Sequence, residues 1–185
     1  MAHSHTKIWL HIVFGTKDRL PLIKESFENK LYEYLTKMLE NDFKSKVASI
    51  NGTSDHIHIL FLQNQNYSIA EIIKNIKGNS SHWINQNEFT DSKFAWQTGY
   101  GAFSVSESIV EAVKKYVINQ KEHHRKISFA EEYERFAEKY GFKEGNRWIG
   151  FNVVVFCFWT HDWSRGLAKK NEVKISWGRK KEWNE

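Results

Sequence analysis

The sequence predicts an α+β domain in which an antiparallel sheet carries helices on one face. Three observations predict it. Short runs rich in Ile, Val, Phe and Trp alternate with longer segments whose apolar residues recur at helical spacing. The strand-like runs are separated by turn residues. The chain has 185 residues, of which 41% are hydrophobic and 15% aromatic, enough for one domain with a real core.

The elements follow in order. Lys7–Gly15 is rich in Ile, Val, Trp and Phe and stops at a glycine, so it reads as a strand. Asp18–Pro21 is a loop. Ile23–Leu39 sets Phe27, Leu31, Tyr34, Leu35 and Met38 on one helical stripe. Lys46–Ile50 is a short strand, Asn51-Gly52 a tight-turn signal, and Asp55–Gln63 the second arm of a hairpin. Ser68–Trp83 is a helix with Ile69, Ile72, Ile73 and Ile76 as its buried stripe. Phe94–Phe103 is a strand interrupted by Gly99 and Gly101. Ser106–Arg125 is a helix entered through Ser104 and Glu107, which have the spacing of a capping box. Phe129–Tyr140 is a last helix, stopped by Gly141. The order β-α-β-β-α-β-α-α describes two β-α-β halves sharing one antiparallel sheet, the ferredoxin-like arrangement. Its second face is left open for a ligand or a partner.

Residues 1–144 form this domain. Residues 145–185 read as an appendage: Phe151–Trp159 is an apolar run able to form an extra strand, followed by a basic tail. Five of the eight tryptophans and the single cysteine, Cys157, lie there. One cysteine excludes an internal disulfide framework and a multi-cysteine zinc site. No apolar run reaches about 18 residues, so no membrane span is expected. The start, MAHSHTKIWL, has no signal-peptide pattern, and the expected location is the cytoplasm. The net charge of +5 suits a polyanionic partner without requiring one.

The stretch Asp55-His56-Ile57-His58-Ile59-Leu60-Phe61 is the most informative. Alternation along a strand sends Ile57, Ile59 and Phe61 to one face and His56 and His58 to the other. Two adjacent imidazoles make a two-toothed ligand for a divalent metal. Read alone, the pattern more often describes two histidines that are exposed or satisfied in a core. In Ser106–Arg125, at about 100° per residue, Tyr116 and Gln120 are neighbours on the stripe of Ile109 and Val113. A buried glutamine needs a partner, either a metal beside the histidines or a backbone carbonyl. Trp96 and Phe103 suit either core packing or stacking on unpaired bases. Lys74, Lys77, Lys114, Lys115, Lys121, Arg125 and Lys126 suit either a solvated face or phosphate contact.

Together, His56-Ile57-His58, the segment Gly99-Tyr100-Gly101-Ala102-Phe103-Ser104-Val105-Ser106 and the run Tyr116-Val117-Ile118-Asn119-Gln120-Lys121-Glu122-His123-His124 resemble the single-tyrosine HUH transposases of bacterial insertion sequences, including their REP-associated relatives. The resemblance covers roughly Lys7–Gly141. It implies an enzyme that cleaves and rejoins single-stranded DNA ends through a 5′-phosphotyrosine intermediate. Tyr116 would be the catalytic nucleophile, and His56, His58 and Gln120 would bind Mg²⁺ or Mn²⁺. His124 is a reserve ligand on the same stripe, and Asp55 is not expected to be one. Lys74, Lys77 and Lys115 are candidates for DNA binding. The implied partners are hairpin-ended single-stranded DNA and a second copy of the chain, in a homodimer with shared active sites. No ATP is required, and the sequence has no G-x-x-x-x-G-K-[ST] loop. Two other readings stay open at this point. One is a relaxase-type or replication-initiator HUH nickase. The other is a non-catalytic module that holds single strands on its sheet.

Overall fold

A computed structural model describes residues 5–125, 131, 132, 135, 154 and 155. The expected α+β, ferredoxin-like arrangement is present. Strand β1 spans Ile8–Gly15, helix α1 Glu25–Lys37, β2 Lys46–Gly52, β3 His56–Gln63, α2 Ile69–Gln86, β4 Gly101–Val105, α3 Val110–Ile118 and α4 Gln120–His123. A two-residue strand β5, Val154–Val155, follows. The sheet order is β2-β3-β1-β4-β5. The first four strands pair antiparallel, and β5 runs parallel to β4.

Alternation along the two central strands builds the core. Leu10, Ile12 and Phe14 of β1 and Ile57, Ile59 and Phe61 of β3 point to one face. There they meet Phe27, Leu31 and Leu35 of α1 and Ile72, Ile73, Ile76 and Ile84 of α2. Each such side chain taken out of water contributes about 1.5–3 kcal/mol. Helix α2 starts cleanly because the Ser68 hydroxyl accepts from the Glu71 amide at 3.2 Å. Among the described residues no helix is long and apolar enough to cross a membrane.

The opposite face carries the histidines, and it is not left open. Val110 and Val117 of α3 pack on Leu60 of β3 and Val105 of β4, with Trp9, Ala48, Ile109, Val113 and Tyr116 around them. A helix with this apolar stripe needs cover, and the second face of the sheet supplies it.

Several boundaries differ from expectation. The chain continues as strand through Gly52, and the turn falls at Thr53–Asp55. Gly52 serves a close backbone approach: a Cβ there would lie 2.1 Å from the His56 carbonyl oxygen. Strand β4 begins only at Gly101. The Phe94–Tyr100 segment is held outside the sheet, save for the single bridge of Trp96 to Thr16. Around that bridge Lys17 N donates to the Ala95 carbonyl at 2.8 Å and Gln97 N to the Gly15 carbonyl at 3.0 Å, while Phe94 is tied to a side chain: its N donates to Asn85 Oδ1 at 2.8 Å, and its carbonyl accepts from Asn85 Nδ2 at 2.9 Å. Trp96 and Phe103 are both buried. The Trp96 indole N–H donates to Ser80 Oγ at 2.9 Å, so Trp96 is a core residue and not a stacking platform.

The expected helix over Ser106–Arg125 is broken in two places. A short 3₁₀ turn, Glu107–Ile109, precedes α3, with Ser106 at the cap position. Ser104 lies inside β4, and Glu107 accepts from Lys7 Nζ at 2.6 Å and Trp9 Nε1 at 2.8 Å. Asn119, with φ −92° and ψ 16°, separates α3 from α4, and Asn51 Nδ2 donates to the Ile118 carbonyl at that break. Of the expected Phe129–Tyr140 helix, Glu131, Glu132 and Arg135 are helical; its other residues lie outside those described. The same is true of the 145–185 appendage, apart from Val154–Val155.

Candidate metal centre and tyrosine site

His56 and His58 stand on the non-core face of β3, opposite Gly15 and Val13 of β1. Both are almost fully buried, at 1% and 0% exposure. Each has one ring nitrogen engaged by the protein. Nδ1 of His56 lies 2.7 Å from Asp55 Oδ1 and 2.7 Å from Thr53 Oγ1. Nδ1 of His58 lies 3.0 Å from Nε2 of His11, a residue of β1 whose ring stacks on His58 at 5.2 Å. In both rings Nε2 is thereby directed to the same side. Partners on the far nitrogen fix the orientation of an imidazole in this way in metal sites generally.

Two further residues converge there. His124, just past α4, brings its Nε2 within 3.0 Å of His56 Nε2. Glu132 is 4% exposed; its Oε2 lies 3.1 Å from His124 Nε2 and 3.7 Å from His58 Nε2. The Glu132 Oε1 accepts the Tyr116 hydroxyl and, at 3.4 Å, the Gln120 side-chain amide. Tyr116 stands edge-on to His58, with ring centroids 5.8 Å apart at 81°.

Burial sets the protonation states. It draws His11 and His56 down to about 4 and His58 well below its ordinary value. The imidazoles are therefore neutral near pH 7, the form that ligates a cation. Burial also pushes the Glu132 carboxyl up to about 8, against the pull of the Arg19 guanidinium. Asp55 is held down to about 2, its partial burial outweighed by bonds from His56 and Thr53 and by the charge of Arg19. Arg19 Nη2 donates to Asp55 Oδ2 at 2.6 Å.

The donor set fits a divalent cation. His58 Nε2, Gln120 Oε1 and Glu132 Oε2 are buried atoms that make no hydrogen bond among the described residues. Leaving such atoms without a partner costs on the order of 1–3 kcal/mol each. Neutral imidazole nitrogens, an amide oxygen and a carboxylate are ordinary metal ligands.

The sequence-derived candidates thus divide. His56, His58, Tyr116 and Gln120 come together around one point. Lys74 and Lys77 do not join them, because α2 lies on the core side of the sheet. Lys74 is exposed. The Lys77 ammonium donates to the carbonyls of Gln97, Thr98 and Gly99 at 2.6, 3.2 and 3.0 Å, and it sits 5.4 Å from the Phe14 ring. Lys115 is exposed on α3, one residue before Tyr116. Glu132, His11 and the orienting role of Asp55 were not foreseen. For His11 a signal existed, since it alternates with the core residues Leu10 and Ile12 and so shares the face of His56 and His58. For Glu132 there was none, because it stands in a helical segment with several other acidic residues.

Comparison with curated proteins gives no match. Among solved structures, a protein of Deinococcus radiodurans R1 assigned as a transposase aligns at 18% identity and a TM-score of 0.48. The alignment covers 65% of this chain and 95% of that one. A REP-associated tyrosine transposase bound to a REP hairpin aligns at 9% identity and a TM-score of 0.49, over 68% of this chain and 72% of that one. The family model of the IS200-like transposases matches residues 4–120, a span that holds β1, the histidine strand, Tyr116 and Gln120, and the chain belongs to that family.

Proposed function

We propose that this transposase cleaves and rejoins single-stranded DNA ends, with Tyr116 as nucleophile. The observation that carries the reading is the edge contact of Tyr116 with His58 inside one chain. It sets a phenol oxygen beside a group of metal-ligating side chains. In the first step the Tyr116 oxygen attacks a backbone phosphorus. A P–O(Tyr) bond forms as the phenol gives up its proton, the P–O3′ bond breaks, and the departing oxygen takes up a proton and leaves as a 3′-hydroxyl. The 5′-phosphate stays on the tyrosine until a second 3′-hydroxyl displaces it. One phosphodiester replaces another, so no nucleotide triphosphate is consumed.

His56, His58 and Gln120 are the residues the resemblance assigns to Mg²⁺ or Mn²⁺. When bound, such a cation offsets phosphate charge as a Lewis acid. The protein's own part is to fix the geometry. His11 and Asp55 orient the two imidazoles, and Glu132 holds the Tyr116 hydroxyl. The α3 and α4 cover limits water at the site.

Hairpin-ended single strands and a cytoplasmic setting are the substrate form and location that go with this reading. A homodimer goes with it too, although Tyr116 and His58 of one chain are already neighbours. Lys115 is the best placed of the three lysine candidates for phosphate contact.

The test is a suicide-oligonucleotide assay with labelled single-stranded DNA. A covalent adduct should form with Mg²⁺ or Mn²⁺ and vanish in Tyr116→Phe. Adduct that survives in Tyr116→Phe removes Tyr116 as the nucleophile.

A further inference from the structure

The resemblance assigns three ligands, but the structure gathers a different set of four. One ligand atom from each of His56, His58, His124 and Glu132 lies within 4.8 Å of all the others. Three of the separations are 3.0, 3.1 and 3.7 Å. Bonds of about 2.0–2.1 Å to a tetrahedral ion set neighbouring ligands roughly 3.3 Å apart. These three separations straddle that value before any ion is introduced, and the remaining ones stay within 4.8 Å. Two of the four atoms, His58 Nε2 and Glu132 Oε2, are buried without a hydrogen bond among the described residues.

The geometry points to a four-ligand centre of His56, His58, His124 and Glu132 that takes a transition-metal cation of the Zn²⁺ or Co²⁺ type in preference to Mg²⁺. Three imidazoles and one carboxylate suit such ions. Mg²⁺ favours an octahedron of oxygens and keeps several of its waters, which a buried, nitrogen-rich site does not offer. The second nitrogens of His56 and His58 are already held by Asp55 and His11, as oriented ligands require. The centre also reaches the tyrosine. Glu132 Oε1 accepts the Tyr116 hydroxyl, so an ion on Oε2 would fasten the carboxylate that holds the nucleophile. The inference rests on the reading of this cleft as a metal site, and not on the strand-transfer reaction.

The experiment is a Co²⁺ titration of the metal-stripped full chain without DNA, followed by visible absorption. One equivalent should give the intense band of four-coordinate Co²⁺. Zn²⁺ should displace it, and Mg²⁺ in large excess should not. His124→Ala and Glu132→Gln should each weaken Co²⁺ binding by at least about tenfold, since even outer partners of metal ligands are worth 10–100-fold. Gln120→Ala should leave the band in place. The faint spectrum of six-coordinate Co²⁺ in the wild type would overturn the inference. So would unchanged affinity in His124→Ala and Glu132→Gln with loss in Gln120→Ala. Where a variant fails to fold by circular dichroism, the wild-type spectrum and the Mg²⁺ competition decide. If the four-ligand centre fails while the DNA adduct forms, the proposed function stands. A four-coordinate spectrum with no adduct removes the strand-transfer reading alone.

Discussion

The Tyr116 ring meets the His58 imidazole edge-on, 5.8 Å between centroids, within a single chain. The proposed nucleophile and the candidate metal-ligating strand are therefore neighbours within one chain. This predicts the outcome of a mixing experiment. Tyr116→Phe and His58→Ala proteins, each inactive, should remain inactive when combined and refolded together. If the tyrosine served the partner's histidines, the mixture would regain part of the wild-type adduct. Gel detection of labelled covalent adduct separates the two outcomes.

Asp55 acts on the centre through His56. Its carboxylate takes His56 Nδ1 at 2.7 Å and is itself held by Arg19 at 2.6 Å. Asp55→Asn should keep the fold and lower divalent-metal affinity by about 10–100-fold, the usual effect of losing a partner that orients a ligating histidine. Equilibrium titration with Mn²⁺ or Co²⁺ measures it. An unchanged affinity would leave Thr53, also 2.7 Å from His56 Nδ1, as the orienting group.

Much of this arrangement could be read from residue order. The alternation of Ile57, Ile59 and Phe61 against His56 and His58 located the face of the candidate metal cluster, because strand geometry leaves side chains only two directions. The stripe of Tyr116 and Gln120 located the facing helix. Glu132 stayed hidden because a carboxylate in a charged helical segment gives no local sign of burial; only packing made it 4% exposed. The Asn51-Gly52 pair misled for a related reason. A glycine required by close backbone approach has the same sequence signature as one required by a tight turn. Lys77 misled because burial of its ammonium depends on where the Gln97–Gly99 carbonyls fold, which no spacing rule encodes.

Lys77 and Lys115 should consequently part company under mutation. Lys115→Ala should weaken single-strand binding and reduce the salt slope by about 0.7, one phosphate contact, with little change in stability. Lys77→Met should leave the salt slope alone and destabilise the fold by about 1 kcal/mol as three carbonyls lose their donor. Burial draws the Lys77 amine from 10.5 to about 8. Between those values the unfolded chain binds more protons than the folded one, so stability tied to this group rises with pH. The stability of wild type relative to Lys77→Met should increase from about pH 8 to 10.5. Urea melts across that range test it.

Gly52 carries the last prediction. A Cβ at this position would lie 2.1 Å from the His56 carbonyl oxygen and 2.8 Å from Ile57 Cα, both backbone atoms that cannot rotate away. Gly52→Ala must therefore push β2 and β3 apart at the point where His56 is anchored. Forced overpacking of this kind costs about 1–3 kcal/mol. The displacement reaches the candidate metal face first, because Thr53 N donates to that same carbonyl at 2.9 Å and Thr53 Oγ1 contacts His56 Nδ1. Gly52→Ala should then lose divalent-metal affinity at a temperature where circular dichroism still shows a folded chain. A variant that melts lower yet binds metal as tightly as wild type would show that the hairpin yields elsewhere and leaves His56 in place.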